Sequence, residues 1–71
     1  MLLKLGFYKH YKGEVYRVVG SATHSETLEE MVVYEAQTDK KLWVRALPMF
    51  LEDVEVDGKK MKRFEYIDAI L

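Results

Sequence analysis

Val54-Glu55-Val56-Asp57-Gly58-Lys59-Lys60-Met61-Lys62-Arg63-Phe64 is the stretch whose reading decides the fold. Val54 to Val56 and Met61 to Phe64 flank an Asp-Gly pair. Asp and Gly tolerate the positive φ angles of a tight two-residue turn, so this pattern is the strongest short-range hairpin signal in the chain. Working outward, Leu42 to Leu47 reads as a strand. Leu42, Val44 and Ala46 fall on one face, and Trp43, Arg45 and Leu47 on the other. Pro48 ends it, because proline cannot donate to a ladder. Pro48 to Leu51 then predicts a short helical turn that plugs one end of the core.

Upstream, Phe7 to Tyr11 and Val15 to Val19 predict two strands separated by Lys12-Gly13 and bounded by Gly20. Ala22 to Thr27 is polar and reads as a loop. Thr27-Leu28-Glu29-Glu30 matches a capping box and could open a helix. Val32-Val33-Tyr34 favours a strand from Met31 to Ala36 instead, with a turn at Asp39-Lys40. Glu65 to Leu71 is left as a tail whose Ile67, Ile70 and Leu71 pack back or meet a partner. Five or six short strands with almost no helix predict one all-β domain over residues 1–71. Its expected form is a small SH3-like barrel, or a strongly twisted five-to-six-stranded antiparallel sheet, with one helical turn near Pro48.

Size limits how this domain is stabilised. A 71-residue chain buries only about 60% of the surface its unfolded form exposes. There are no cysteines, so disulfides and thiolate metal sites are excluded. Hydrophobic residues are 49% and aromatics 13% of the chain, which is enough to form a core. The net charge of −1 argues against a dedicated binder of long phosphate backbones. The charge is uneven, however. Residues 1–20 carry Lys4, Lys9, Lys12 and Arg17 against Glu14, and residues 21–39 carry five acids and no Lys or Arg. No apolar run reaches membrane-span length, and Met1-Leu2-Leu3 is too short for a signal-peptide core. The expected setting is cytoplasmic, with no membrane partner.

Polar and aromatic residues concentrate in Gly6-Phe7-Tyr8-Lys9-His10-Tyr11-Lys12-Gly13 and in His24-Ser25-Glu26-Thr27. His24, Ser25 and Glu26 supply a base, a nucleophile and an acid, but adjacency argues against a triad, which is normally assembled from distant positions. The plainer reading is a loop whose side chains satisfy backbone N–H groups. His10, brought to His24 and Glu26 by folding, would make a zinc set, although the spacing adds nothing beyond His-x-Glu. Tyr8, His10, Lys12 and Arg17 mix aromatics and cations, as surfaces that stack bases do. The alternative is that Phe7, Tyr11 and Tyr16 form core and the lysines are solvated. Trp43 and Arg45 share a parity and would frame an anionic ligand, against a reading with Trp43 in the core and Arg45 paired with Glu35 or Glu65. Lys59, Lys60, Lys62 and Arg63 read as a solvated hairpin tip.

The chain resembles a small bacterial family known as domain of unknown function 1653. The resemblance rests on the Gly6-to-Gly13 cluster with Tyr16 and Val18, then on His24-Ser25-Glu26-Thr27 and Val32-Val33-Tyr34. It continues through Trp43-Val44-Arg45, Met49-Phe50, Asp57-Gly58 and Arg63-Phe64-Glu65. One departure is Ala46, where the family pattern places a proline after the arginine; here the proline is Pro48. The resemblance implies a compact stand-alone bacterial domain and no particular activity.

The function expected from the residues is therefore a binding or interaction module rather than an enzyme, with no cofactor. Its ligand-binding candidates are Tyr8, His10, Lys12, Arg17, His24, Ser25, Glu26, Trp43 and Arg45. Expected partners are a small anionic ligand, a nucleic acid, a peptide or a protein. The alternative is a structural domain that acts by docking or homodimerisation through a sheet edge and the apolar tail. An enzyme or metal site at His10, His24 and Glu26 ranks third.

Overall fold

The computed structural model describes residues 3–70. The apolar tail residue Leu71 and the Met1-Leu2 pair lie outside the described residues. The elements are β1 (Gly6–His10), β2 (Val15–Thr23), β3 (Glu30–Ala36), β4 (Leu42–Ala46), α1 (Leu47–Phe50), β5 (Asp53–Val56), β6 (Lys59–Lys62) and β7 (Phe64–Asp68). The domain is all-β. Five strands form one antiparallel sheet in the order β4-β3-β2-β1-β7, and β5 and β6 form a separate hairpin.

The sheet stays open, so of the two expected architectures the barrel is not the one found. Closure would need the hairpin to bridge the edges, but all four residues of β6 are exposed. Three of them, Lys59, Lys60 and Lys62, would lose hydration if buried. The hairpin instead joins the sheet at its base. The Arg63 N–H donates to the Glu52 carbonyl at 3.0 Å, and the Tyr11 N–H donates to the Arg63 carbonyl at 3.0 Å. Its turn is as expected: Asp57 and Gly58 both have positive φ, 51° and 75°, the signature of a type I′ turn.

Cross-strand partners lie on the same face of a sheet. The pairs Tyr8↔Tyr16, Tyr8↔Tyr66, His10↔Phe64, Val18↔Tyr34, Tyr34↔Trp43 and Val32↔Arg45 therefore define one face. On it lies the core of Tyr8, Val18, Val32, Tyr34, Phe50 and Phe64. Phe50 arrives from α1, whose first turn holds Pro48, a position where the missing N–H costs nothing. The Phe50 ring stacks on Phe64 with centroids 4.1 Å apart and meets Tyr8 and Tyr34 edge-on. The opposite face of the sheet carries Phe7, Arg17, Val33, Glu35, Leu42 and Val44, and no element of the described chain packs over it.

Several local expectations need correction. Tyr8, expected on an exposed face, is 4% exposed and belongs to the core. Phe7 and Tyr11, which the alternative reading puts in the core, are half-buried. Both parities of β1 are aromatic, so alternation alone does not identify the inward side. Trp43 is not core either: at 51% exposed it sits on the edge strand, with one flank open. The loop expected from Ala22 begins later, because β2 runs to Thr23 past an irregularity between Val18 and Gly20. The tail is a strand, β7, paired with β1, while Ile67 and Ile70 stay exposed. Gly6 enables that pairing. Its φ is +129°, and a Cβ there would lie 2.7 Å from the Asp68 carbonyl oxygen. Among the described residues, no helix is long and apolar enough to cross a membrane.

Candidate functional site

The two histidines make the same local bond in different surroundings. In the turn after β2, His24 Nδ1 accepts from the backbone N–H groups of Glu26 (3.1 Å) and Thr27 (3.3 Å). The Thr27 hydroxyl accepts from the Glu29 N–H, and the His24 N–H and carbonyl bond Glu29 and Leu28 across the turn. His24, Ser25, Glu26 and Thr27 thus form a self-contained turn. Within it the His24 ring and the Thr27 hydroxyl are the side-chain acceptors of backbone N–H groups. Leu28 adopts a positive φ of 64° to close it, and no helix starts at Thr27.

His10, at the end of β1, accepts the Lys12 N–H at Nδ1 (3.2 Å). Its ring packs against Tyr11 with centroids 4.5 Å apart and edge-on to Phe64 at 4.9 Å. Burial, followed by the positive charges of Arg63, Lys12 and Arg45, holds the His10 proton affinity below the usual histidine value of 6.5; Glu14 acts the other way. The charges of three cations therefore act on the His10 ring, that of Arg45 from a backbone position nearer the other end of the sheet. Their acidic company is thin. Glu14 accepts a hydrogen bond from the Tyr16 hydroxyl (3.1 Å), and Glu52 pairs with Arg63 at 3.3 Å while half exposed to water.

The guanidinium groups are incompletely satisfied. The Nε atoms of Arg45 and Arg63 are both buried with no hydrogen-bond partner. An unpaired buried donor costs about 1–3 kcal/mol, and more when charged. Of the two readings of Arg45, pairing with Glu35 or Glu65 is not the one found: Glu35 pairs with Arg17 (3.6 Å) on the other face of the sheet. No ion pair holds Arg45 among the described residues. Beside His10 opens a cleft of about 240 Å³ lined by Lys9, His10, Tyr11, Met61, Lys62 and Glu65.

The charges of Lys12 and Arg45 both act on His10, and so does that of Arg63, a residue the sequence places in the solvated hairpin tip. One signal could have found it. Arg63 is the last cation of that run and abuts the core residue Phe64, where a long aliphatic stem can lie along apolar surface. Trp43 shares the face of Arg45. Arg17 lies on the opposite face, Tyr8 in the core, and His24, Ser25 and Glu26 in the separate turn. Among the described residues, no group of three or more His, Asp or Glu is arranged to hold a metal. A larger, mostly apolar cavity of about 700 Å³ lies between α1, β7 and the N-terminal segment, with Leu3, Tyr8, Leu47, Leu51 and Tyr66 in its wall.

Comparison with known proteins adds a family and a fold. No curated protein matches the chain. A crystal structure of a DUF1653 protein from Bordetella bronchiseptica superposes with a TM-score of 0.89 at 30% identity, covering 99% of this chain and 94% of that one. Residues 6–66 match the family model described as "Protein of unknown function (DUF1653)". With most of its length inside that model and the same fold in a relative, the chain belongs to the DUF1653 family.

Proposed function

We propose that this protein is a small binding module that takes a phosphate-bearing ligand, of the nucleotide or short single-stranded nucleic-acid class, at the His10 end of the sheet. The observation that carries the reading is the pair of buried, unpartnered Nε atoms on Arg45 and Arg63, whose charges act with that of Lys12 on His10. A planar guanidinium presents donors in a fork that matches phosphate oxygens. Trp43, half exposed on the face of Arg45, offers a surface for stacking a base. The net charge of −1 fits a short ligand better than a long duplex.

Trp43 is the only tryptophan, so its fluorescence reports on the site directly. Titration with mixed nucleotides and short single-stranded RNA should quench or shift its emission, more strongly at low salt than at moderate salt. Arg45→Met and Arg63→Met should each weaken the response at least several-fold, whereas Arg17→Met should not. Unchanged emission with every ligand at low salt would refute the reading.

A further inference from the structure

The two edges of the five-stranded sheet differ in their protection. β7 carries Glu65 and Asp68, charges of the kind that discourage a further strand. β4 exposes Leu42, Trp43 and Val44 in succession, at 65%, 51% and 60%. Its one charged residue, Arg45, is turned to the core face. We propose that β4 is the seat of a homodimer, in which two copies pair antiparallel about a two-fold axis at Val44 to give one continuous ten-stranded sheet, five strands from each copy.

The register follows from the backbone. The Ala36 N–H donates to the Lys41 carbonyl at 2.9 Å, which marks that pair as hydrogen-bonded. Antiparallel ladders alternate hydrogen-bonded and non-hydrogen-bonded pairs. In the β3–β4 register, Trp43 and Arg45 therefore bond to β3, while the N–H and C=O groups of Leu42, Val44 and Ala46 point away from it. These outward groups can bond a second β4 with Val44 opposite the partner's Val44 and Leu42 opposite the partner's Ala46.

Side chains select a second copy as the occupant. In that register each Trp43 lies directly across from the partner's Arg45, with an indole beside a guanidinium whose Nε is unpartnered. Such a contact uses the face of the guanidinium and leaves its N–H edge available. On the other face, Leu42 meets the small Ala46 of the partner and two valines meet at the axis. Centring the axis on Leu42 would instead set Trp43 against the partner's Lys41. Centring it on Ala46 would bring Pro48, which lacks a backbone donor, to the ladder. Axes at Trp43 or Arg45 also satisfy the ladder, but they set like residues across from each other, indole against indole or guanidinium against guanidinium, whereas the Val44 register sets each indole against a guanidinium.

The test uses the absence of native cysteines. Hydrogen-bonded antiparallel partners have Cα atoms about 5.5 Å apart, inside the disulfide range of roughly 4.4–6.8 Å. Full-length Val44→Cys should cross-link to a dimer under mild oxidation. Leu42→Cys should not, because its own copies sit well apart on either side of the axis. Light scattering of the wild type should give the mass of two chains, falling towards one on dilution. Val44→Lys should give one chain with unchanged circular dichroism, since position 44 is exposed. A one-chain mass at every concentration would overturn the proposal. So would a dimer that Val44→Lys leaves intact, or a Leu42→Cys cross-link as fast as that of Val44→Cys. None of these readouts depends on the ligand proposed above.

Discussion

His10 and His24 are the same residue making the same bond, an Nδ1 acceptor for a backbone N–H two residues on. Around His24 that bond completes a closed local system, and the exposed residues beside it have water for their remaining needs. Around His10 it leaves an imbalance, because the fold sets the charges of Arg45, from β4, and Arg63, from the end of the hairpin, to act on the same ring, with both Nε atoms unpartnered. The contrast shows that the chemistry of a side chain here is set by what distant strands bring to it. A local motif, even one dense in polar residues, can be used up in holding its own turn.

The strongest way to break this comparison is to remove the scaffold that carries His10. Phe50 is 1% exposed and stacks on Phe64, which in turn holds the edge of the His10 ring. Phe50→Ala should cost about 3–5 kcal/mol. A domain of this size has a total stability of only about 4–11 kcal/mol at typical values per residue. Urea unfolding should therefore show a much lower midpoint, or no cooperative transition.

A smaller change sharpens the contrast without unfolding the chain. Arg63→Met removes the largest of the charges acting on His10, and Arg45→Met removes a lesser one. In each variant the His10 ring should hold its proton more tightly than in the wild type, more so for Arg63→Met. Imidazole NMR across pH 5 to 8 reads the His10 ring directly.

The same asymmetry should appear in stability. Folded His10 holds its proton less tightly than unfolded His10, so below pH 6.5 the unfolded chain takes up more protons. The contribution is present above pH 6.5 and is lost as pH falls from there through the lower folded value. Denaturation midpoints should decline over this window, and His10→Gln should flatten that decline. An equal decline in His10→Gln would assign it to other groups.

The smallest effect belongs to the closed turn. His24→Ala should cost on the order of 1 kcal/mol through the two backbone N–H bonds it loses. His24→Asn, with an acceptor at similar reach, should recover most of this, and neither should alter the Trp43 response to nucleotides.

Much of this molecule is legible in its sequence, and the limits are physical. Asp57-Gly58 announces its turn because positive φ at two successive residues is a local demand, and Pro48 announces the end of β4 for a similar reason. Tyr8 and Trp43 were misplaced because β1 and β4 are apolar on both faces, so burial is decided by what packs above them. The capping box at Thr27 signalled a hydroxyl bonded to a backbone N–H, and that bond exists, but it serves a turn rather than a helix. Arg63 could be read as a cation beside a core aromatic. That it would meet Arg45 and His10 depends on how the hairpin docks, which no spacing within the chain encodes.

The most direct measurement is an amide NMR titration of the labelled protein with inorganic phosphate, mixed nucleotides and short single-stranded RNA at low and moderate salt. The account predicts salt-sensitive shifts at His10, Lys12, Trp43, Arg45 and Arg63, with Ser25 to Leu28 unmoved. A silent spectrum, or shifts centred on the His24 turn, would contradict it.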